Sequence, residues 1–198
     1  MPGFVFAFER LSRWRLPSGK SDPEEDVRLH GFPPAAEADA QILILGSMPS
    51  EASLKAGAYY AHPRNRFWPV MGALLGFDPE ALYEKRIEAL KKNRIALWDT
   101  IGSCERTGSL DSAILRPEVN PIGAFLAAHS GIRLVCLNGS LSEKMWRTFA
   151  LPQIDEAQSA SIRALKMPST SPANARWRLE DLVRIWGEAI LPELSSDP

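Results

Sequence analysis

The sequence predicts an α/β fold of three layers, α/β/α, with a central four-stranded parallel sheet between helices. Two observations carry this. Four short, mostly apolar runs recur along the chain, at 41–45, 95–98, 133–137 and 162–167. Stretches of helical period separate them. A strand buried on both faces reads as an uninterrupted apolar run, and strands that alternate with helices assemble into a parallel sheet covered on both sides.

The first strand is Gln41-Ile42-Leu43-Ile44-Leu45, stopped by Gly46. Apolar residues at helical spacing place a helix over Phe67–Leu75. Pro79–Lys92 reads as a second helix, with Pro in its first turn and Lys91 and Lys92 in its last, where the macrodipole favours cations. Ile95–Trp98 is the second strand. A helix over Pro121–His129 precedes the third strand, Arg133–Leu137, and a helix over Leu141–Phe149 follows it. The fourth run, Ile162–Met167, carries two cations and has the weakest strand pattern. Leu179–Leu191 closes the core as a helix with Leu182, Ile185, Trp186 and Ile190 on one face. Residues 1–38 read as a peripheral extension: Trp14 is followed by Pro17, Gly19, Pro23 and the acidic Glu24, Glu25 and Asp26, and Pro33-Pro34 ends the segment. Residues 39–194 are then one domain.

The chain has 198 residues, 45% hydrophobic and 24% charged, enough for a core that needs neither disulfides nor metal. Its formal net charge of −1 lacks the basic footprint of many nucleic-acid binders, although a local basic cleft can focus the field of a neutral protein. Cys104 and Cys136 form no C-x-x-C pair, which excludes a zinc or iron–sulfur site built from thiolates alone. His30, His62 and His129 have no ligand-like spacing, so no metal is expected. Two free thiols fit a reducing compartment. No run of eighteen apolar residues exists, and the first apolar stretch ends at Glu9 and Arg10, too early for a signal peptide. These features together give a cytoplasmic expectation.

In parallel sheets ligands bind beyond the carboxyl ends of the strands. Four polar, turn-rich segments fall there: Gly46-Ser47-Met48-Pro49-Ser50, Asp99-Thr100 with Cys104-Glu105-Arg106, Asn138-Gly139-Ser140, and Pro168–Asn174. The densest chemistry lies in Tyr59–Trp68, where aromatic rings, His62, Asn65 and two arginines crowd into ten residues before a helix. Stacking surface, hydrogen-bonding groups and cations are what a pocket for an extruded base needs. Phe67 and Trp68 read as core anchors. Tyr59 and Tyr60 suit either core or stacking.

Gly46-Ser47-Met48-Pro49, Ser53-Leu54, Tyr59-Tyr60-Ala61-His62-Pro63-Arg64-Asn65 and Phe67-Trp68 together resemble the first motif of hypoxanthine-DNA glycosylases, a branch of the uracil-DNA glycosylase superfamily. Pro168-Ser169-Thr170-Ser171-Pro172-Ala173-Asn174 resembles their second motif. Leu97-Trp98-Asp99, Ser103–Arg106, Gly108–Asp111 and Leu137-Asn138-Gly139 are also similar to that branch, so the resemblance runs from about Leu29 to Trp186. It implies a uracil-DNA glycosylase-like catalytic domain that flips out a deaminated base and hydrolyses its N-glycosidic bond. No cofactor is implied. The implied partner is double-stranded DNA with a deaminated base, hypoxanthine first and uracil second, bound by a monomer. Ser50 stands where the branch has Gly, and a positive φ there would strain it. Met48 stands where mismatch-specific uracil glycosylases carry a catalytic Asn, and the Asp of the most active uracil glycosylases is missing.

The resemblance implies Asn65 as the key catalytic residue, orienting water with its carbonyl and donating to the base with its NH2. As a plain structural residue Asn65 would cap the helix after it. Asn138 and His62 join it as catalytic candidates, against the plainer readings of a turn residue before Gly139 and a loop hydrogen-bonder. Gly46, Ser47, Met48 and Tyr60 are the candidate base-binding residues. Arg64, Ser169, Thr170, Ser171, Pro172, Asn174 and Arg176 are the candidate DNA-binding residues. Arg66, Arg106 and Arg178 are further phosphate candidates. Glu51 and Asp99, the nearby carboxylates, read as caps or loop acceptors. A uracil or mismatch-type glycosylase and a non-catalytic nucleic-acid-binding module on the same fold are the alternatives.

Overall fold

The computed structural model describes residues 28–195; the N-terminal features from Trp14 to Asp26 lie outside the described residues. In chain order the elements are β1 (Leu29–His30), β2 (Ile42–Gly46), α1 (Glu51–Ala56), α2 (Phe67–Leu75), α3 (Tyr83–Lys92), β3 (Ile95–Asp99), β4 (Ile101–Glu105), β5 (Leu115–Val119), α4 (Ile122–Ala128), β6 (Leu134–Asn138), α5 (Ser140–Met145), α6 (Glu156–Ser161), β7 (Arg163–Met167) and α7 (Leu179–Leu194). The four expected strands β2, β3, β6 and β7 make one parallel sheet in the order β3-β2-β6-β7. Every residue of β2, β3 and β6 is buried, as their apolar runs require. Burial of each Ile or Leu there stabilises the fold by roughly 1.5–3 kcal/mol. The edge strand β7 exposes Arg163, Ala164 and Lys166, which explains its weak apolar signature.

Some boundaries differ from the sequence expectation. Residues 79–82 form turns rather than the start of α3, because Leu82 is extended (φ −49°, ψ 141°). The helix expected over 141–149 is α-helical only to Met145 and continues as a π-turn over Trp146–Ala150. The helices α1 and α6 are short, six residues each, and carry no long apolar period to announce them. A second, antiparallel sheet of order β1-β4-β5 was not expected. β5 is largely exposed and contains Pro117, which an edge strand tolerates. The peripheral segment also ends earlier than residue 38. β1 pairs with β4, Gly31 donates to Gly102 O (2.8 Å), and Ala35 pairs with Leu97.

The strand order places the site. The chain leaves β2 toward β3 on one side and leaves β6 toward β7 on the other, although β2 and β6 are neighbours. A crevice must open beyond their carboxyl ends, where a doubly wound sheet binds its ligand. At that point Gly139 turns the chain from β6 into α5 with φ 99° and ψ 176°, a backbone region reserved for glycine. A Cβ there would stand 3.0 Å from the Cβ of Ser169. Gly139→Ala is therefore expected to lower stability by roughly 1–3 kcal/mol, measured by urea unfolding; an unchanged unfolding midpoint and slope would show that this turn relaxes freely.

Candidate active site

A cleft of about 1420 Å³ opens at the switch point between β2 and β6. The loops after β2, β3, β6 and β7 all contribute to it, through Gly46–Ser50, Asp99, Asn138–Ser140 and, after β7, Pro168–Ser171 with Ala173 and Asn174. Residues 109–112, in the connection between β4 and β5 of the antiparallel sheet, form another wall.

Two hydrogen-bonded units fix these loops. In the first, Asn138 Nδ2 donates to Tyr60 Oη (3.0 Å) and to Thr170 Oγ1 (3.1 Å), while Asn138 Oδ1 accepts from Thr170 N (3.0 Å). Asn138 is 9% exposed and Thr170 fully buried. Both amide hydrogens of Asn138 are thus committed to the protein, and only an acceptor lone pair is left for a ligand. The Thr170 hydroxyl is turned to Asn138 and away from solvent. In the second unit, the Arg66 guanidinium donates to the carbonyls of Ser171 (2.9 Å), Asn174 (2.7 Å) and Trp177. Arg66 is therefore a clamp on the loop after β7 rather than a phosphate contact. The loop is laced internally as well: Ser171 N donates to Ser169 Oγ, Ala173 N to Ser171 Oγ, and Asn174 Nδ2 to Ser169 O. Trp186 of α7 donates its indole N–H to Pro168 O (3.1 Å).

The segment before α2 brings two of its candidates into the cleft. Tyr60 lies in the left-handed region (φ 54°), a conformation that non-glycine residues keep only where surroundings impose it. Its ring stacks on Phe67 with centroids 3.9 Å apart, and it lines the cleft. Burial and the nearby Asp99 push its phenol well above the ordinary range, so it stays neutral. Asn65 also lines the cleft, half-buried, with Oδ1 accepting from Phe67 N (2.9 Å). That bond satisfies one orphan donor of α2, so the capping role is present. Asn65 Nδ2 has no partner among the described residues. His62 is not part of the cleft lining; its Nδ1 accepts from Arg64 N (3.1 Å) within the turn. Arg64 is exposed and lies outside the lining, as does Pro172. Arg176 lies at the lining, exposed, with its guanidinium over the Trp177 ring.

Around β2 the loop is held from below and above. Ser50 has φ −67° and ψ 165°, and its side chain accepts from Ser53 N as the cap of α1. No positive φ is needed there, so Ser in place of Gly carries no strain. Met48 is buried in a small apolar cluster with Ile101, Cys104 and Met145 while lining the cleft. Ser47 Oγ donates to Asp111 Oδ1 (2.9 Å), and Glu51 Oε1 accepts from Gly108 N (2.9 Å). Glu51 is thus the loop acceptor its position suggested, tying α1 to the 106–113 loop. Arg106 is drawn inward, donating to Pro49 O, and Arg178 stands exposed at the start of α7. Among the described residues, no group of three or more His, Cys, Asp or Glu could hold a metal ion, and no helix is long and apolar enough to cross a membrane.

Asp99 departs most from the sequence reading. It neither caps a helix nor accepts from a loop. It is 4% exposed, and its Oδ2 is buried with no hydrogen-bond partner among the described residues. Burial pushes its carboxyl up to about 7; Arg106 pulls the other way and Asp111 adds to the rise. A folded-state value above the unfolded one means that the folded chain holds the proton more tightly, so this group lowers stability as pH rises from about 4 to about 7. Asp99→Asn is expected to remove that slope, with a gain over wild type on the order of 4 kcal/mol at pH 8 and little at pH 4. Urea unfolding of both proteins across that range checks this, and parallel stability curves would show the carboxyl to be ionised at no cost.

Comparison with known proteins agrees with this architecture. Residues 33–189 match the family model of the Uracil DNA glycosylase superfamily. A protein of Methanosarcina barkeri named hypoxanthine DNA glycosylase is 38% identical over 117 residues, which is 59% of this chain and 74% of the relative. One of the same name from Methanosarcina acetivorans is 40% identical over 110 residues, 55% of this chain and 70% of the relative. A solution NMR structure from Methanosarcina acetivorans, described as a candidate uracil DNA glycosylase, superposes with a TM-score of 0.67 at 31% identity, covering 82% of this chain and 98% of that one. With the switch-point cleft and its two motif segments, these matches establish that the chain is a DNA glycosylase and belongs to the uracil DNA glycosylase superfamily, on the branch of its hypoxanthine DNA glycosylase relatives.

Proposed function

We propose that the enzyme excises hypoxanthine from duplex DNA containing deoxyinosine, by hydrolysis, as a monomer and without a cofactor. The observation that supports this most is the juxtaposition of Asn65, with its free amide NH2, and the Tyr60 ring in one cleft between the two motif loops. The two relatives that carry the hypoxanthine name supply the base. The buried thiols Cys104 and Cys136 suit work in a reducing cytoplasm.

Glycosidic cleavage passes through an oxocarbenium-like sugar, which water then captures. The base must first leave the stack, at a cost that is smallest for a weakly paired base. The polar, prebuilt 168–174 loop meets the strand at the gap, and the free face of the Tyr60 ring receives the base. Phe67 supports the other face, so the ring needs no reorganisation on binding. Asn65 then positions the water and donates to the departing base. An amide transfers no proton, so its contribution is geometric and electrostatic. The same Oδ1 that caps α2 fixes the side chain, and capping thereby preorganises catalysis.

Asn65→Ala is expected to slow single-turnover release of hypoxanthine on the order of a hundredfold or more, the scale for loss of one preorganised hydrogen-bonding group. Loss of the cap alone would cost about 1 kcal/mol of stability. Asn65→Asp separates the two roles, since it keeps a capping oxygen but loses the NH2: its melting temperature should hold while its rate falls. A rate that follows melting in both variants would make Asn65 structural. Release from duplexes with uracil, xanthine or ethenocytosine, run beside inosine, tests the base assignment, and faster release of uracil than of hypoxanthine would overturn it.

Phosphates dominate affinity for DNA, and each lost contact lowers the steepness of its salt dependence by about one. Arg176→Ala and Arg64→Ala are each expected to weaken binding and to flatten that dependence by about this amount. An unchanged slope in both would remove these arginines from the interface.

A further inference from the structure

We propose that residues 10–16 of this chain dock in a second groove, one that shares Tyr59 with the catalytic cleft, with the Trp14 ring inward and the arginines of the segment against acidic lips. The groove, about 820 Å³, runs between residues 32–39 and α3. Phe32, Pro33, Pro34, Tyr59, Tyr83 and Ile87 give it an apolar, aromatic lining. Sites that enclose a ligand have volumes of about 300–1,000 Å³. The walls are tied together before anything binds. Tyr59 Oη donates to Pro33 O (3.0 Å), Tyr59 N donates to Tyr83 Oη (3.2 Å), and Trp98 Nε1 donates to Phe32 O (3.0 Å). The Phe32 ring meets Tyr59 edge to face, with centroids 5.2 Å apart. A groove held in shape this way loses little entropy on binding. Leu82, the residue before Tyr83, is 74% exposed, so α3 also begins with uncovered apolar surface.

The charge at the lips narrows the occupant. Glu37 and Asp39 stand on one lip, and Glu84 and Glu88 on the other, against Lys91 and Lys92. Glu37 pairs with Lys91 (2.9 Å), and Glu88 pairs with Lys85 and with Lys92 (3.1 Å each). Asp39 and Glu84, one on each lip and both exposed, have no ion-pair partner among the described residues. A segment that fits this groove is aromatic and apolar in its middle and cationic on both sides.

The chain carries such a segment, tethered close by. Residues 10–16 hold Arg10, Arg13 and Arg15 with Leu11, Trp14 and Leu16, and no acid. Residues 17–27 join them to Arg28, the first described residue, and Arg28 lies four residues before Phe32 of the groove wall. That tether reaches about 40 Å when extended, while Arg28 and Phe32 stand at most about 14 Å apart, so it spans the distance with chain to spare. A short tether raises the effective concentration to the millimolar range, which is enough to fill a groove of modest intrinsic affinity. Duplex DNA competes for the arginines alone: phosphates attract them but give Leu11 and Leu16 no burial, whereas the groove satisfies both kinds of side chain. Docking there covers the groove side of Tyr59, the chain neighbour of Tyr60, and so braces a residue that also lines the cleft.

The test labels the six tryptophans of the full chain with fluorotryptophan and follows the Trp14 resonance, assigned through Trp14→Phe, by fluorine NMR without DNA. In wild type this resonance should lie away from its position in urea. Asp39→Lys with Glu84→Lys reverses both lips at exposed positions and should move it toward the urea position. The docked-to-free ratio should fall about tenfold or more, since one surface ion pair changes such a ratio by a factor of up to about 5 and reversal turns two attractions into repulsions. Arg13→Glu with Arg15→Glu should act alike, and the four changes together should restore the wild-type position. Thermal melts of each variant keep loss of docking distinct from loss of fold. A wild-type resonance already at its urea position would overturn the proposal. So would a displaced resonance that ignores either reversal or is not restored by their combination, because the segment then sits elsewhere. Displacement that grows with protein concentration, beside a doubled mass in solution, would overturn it in favour of a second copy of the chain. Displacement seen only after a duplex is added would overturn it in favour of a DNA contact.

Discussion

The side-chain amide of Asn138 is the junction on which the cleft depends. It sits at the carboxyl end of β6 and bonds at once to the segment before α2, through Tyr60, and to the loop after β7, through Thr170. An amide can make about four hydrogen bonds, and three of this one's are internal. Two walls that are far apart in sequence, 78 and 32 residues from Asn138, are thereby set against one strand end. Because the junction is buried, its bonds are strengthened by low dielectric and its loss would orphan several groups together. Tyr60 keeps its left-handed backbone, and its ring its place on Phe67, within this constraint.

Gly46 and Gly139 make the same argument from the backbone. The first is glycine because a carboxyl occupies the place of its Cβ; the second because α5 must leave β6 through a backbone region closed to other residues. Both stand at the ends of the two strands that flank the switch point. The sheet creates the crevice by its strand order, and these residues keep it open and polar. Nearby, Arg66 converts three carbonyls of the 168–177 segment into a rigid edge. A loop already in shape loses little entropy when it meets a substrate.

The central sheet was legible because its strands are buried on both faces and read as unbroken apolar runs. The second sheet was not, since β5 exposes Leu115, Arg116 and Glu118 and β1 has two residues, too few for any period to show. Within the site, residue type and position beyond strand ends located the four loops, but they could not tell inward from outward. Arg66 and Arg64 look alike in sequence, yet one is a half-buried clamp and the other an exposed cation. Thr170 sits in a polar run that suggests a phosphate clamp, and only the fold shows its hydroxyl turned to Asn138. Asp99 reads in sequence as a cap or loop acceptor because most such residues are; a missing hydrogen bond leaves no mark in sequence. The pairing of Gly46 with Asp99 across β2 and β3 is the one signal that could have marked it, and that needs the register.

A chain of net charge −1 that handles DNA divides its electrostatics by depth. At the rim, Lys144 and Arg176 line the cleft, and Arg64 stands exposed within the Tyr59–Trp68 segment. At the floor a carboxyl and a neutral phenol replace cations. Cations placed deep would hold a phosphate inside the cleft and leave no room for a base. A floor without cations makes entry of the backbone unfavourable and leaves hydrogen bonding as the means of recognition there.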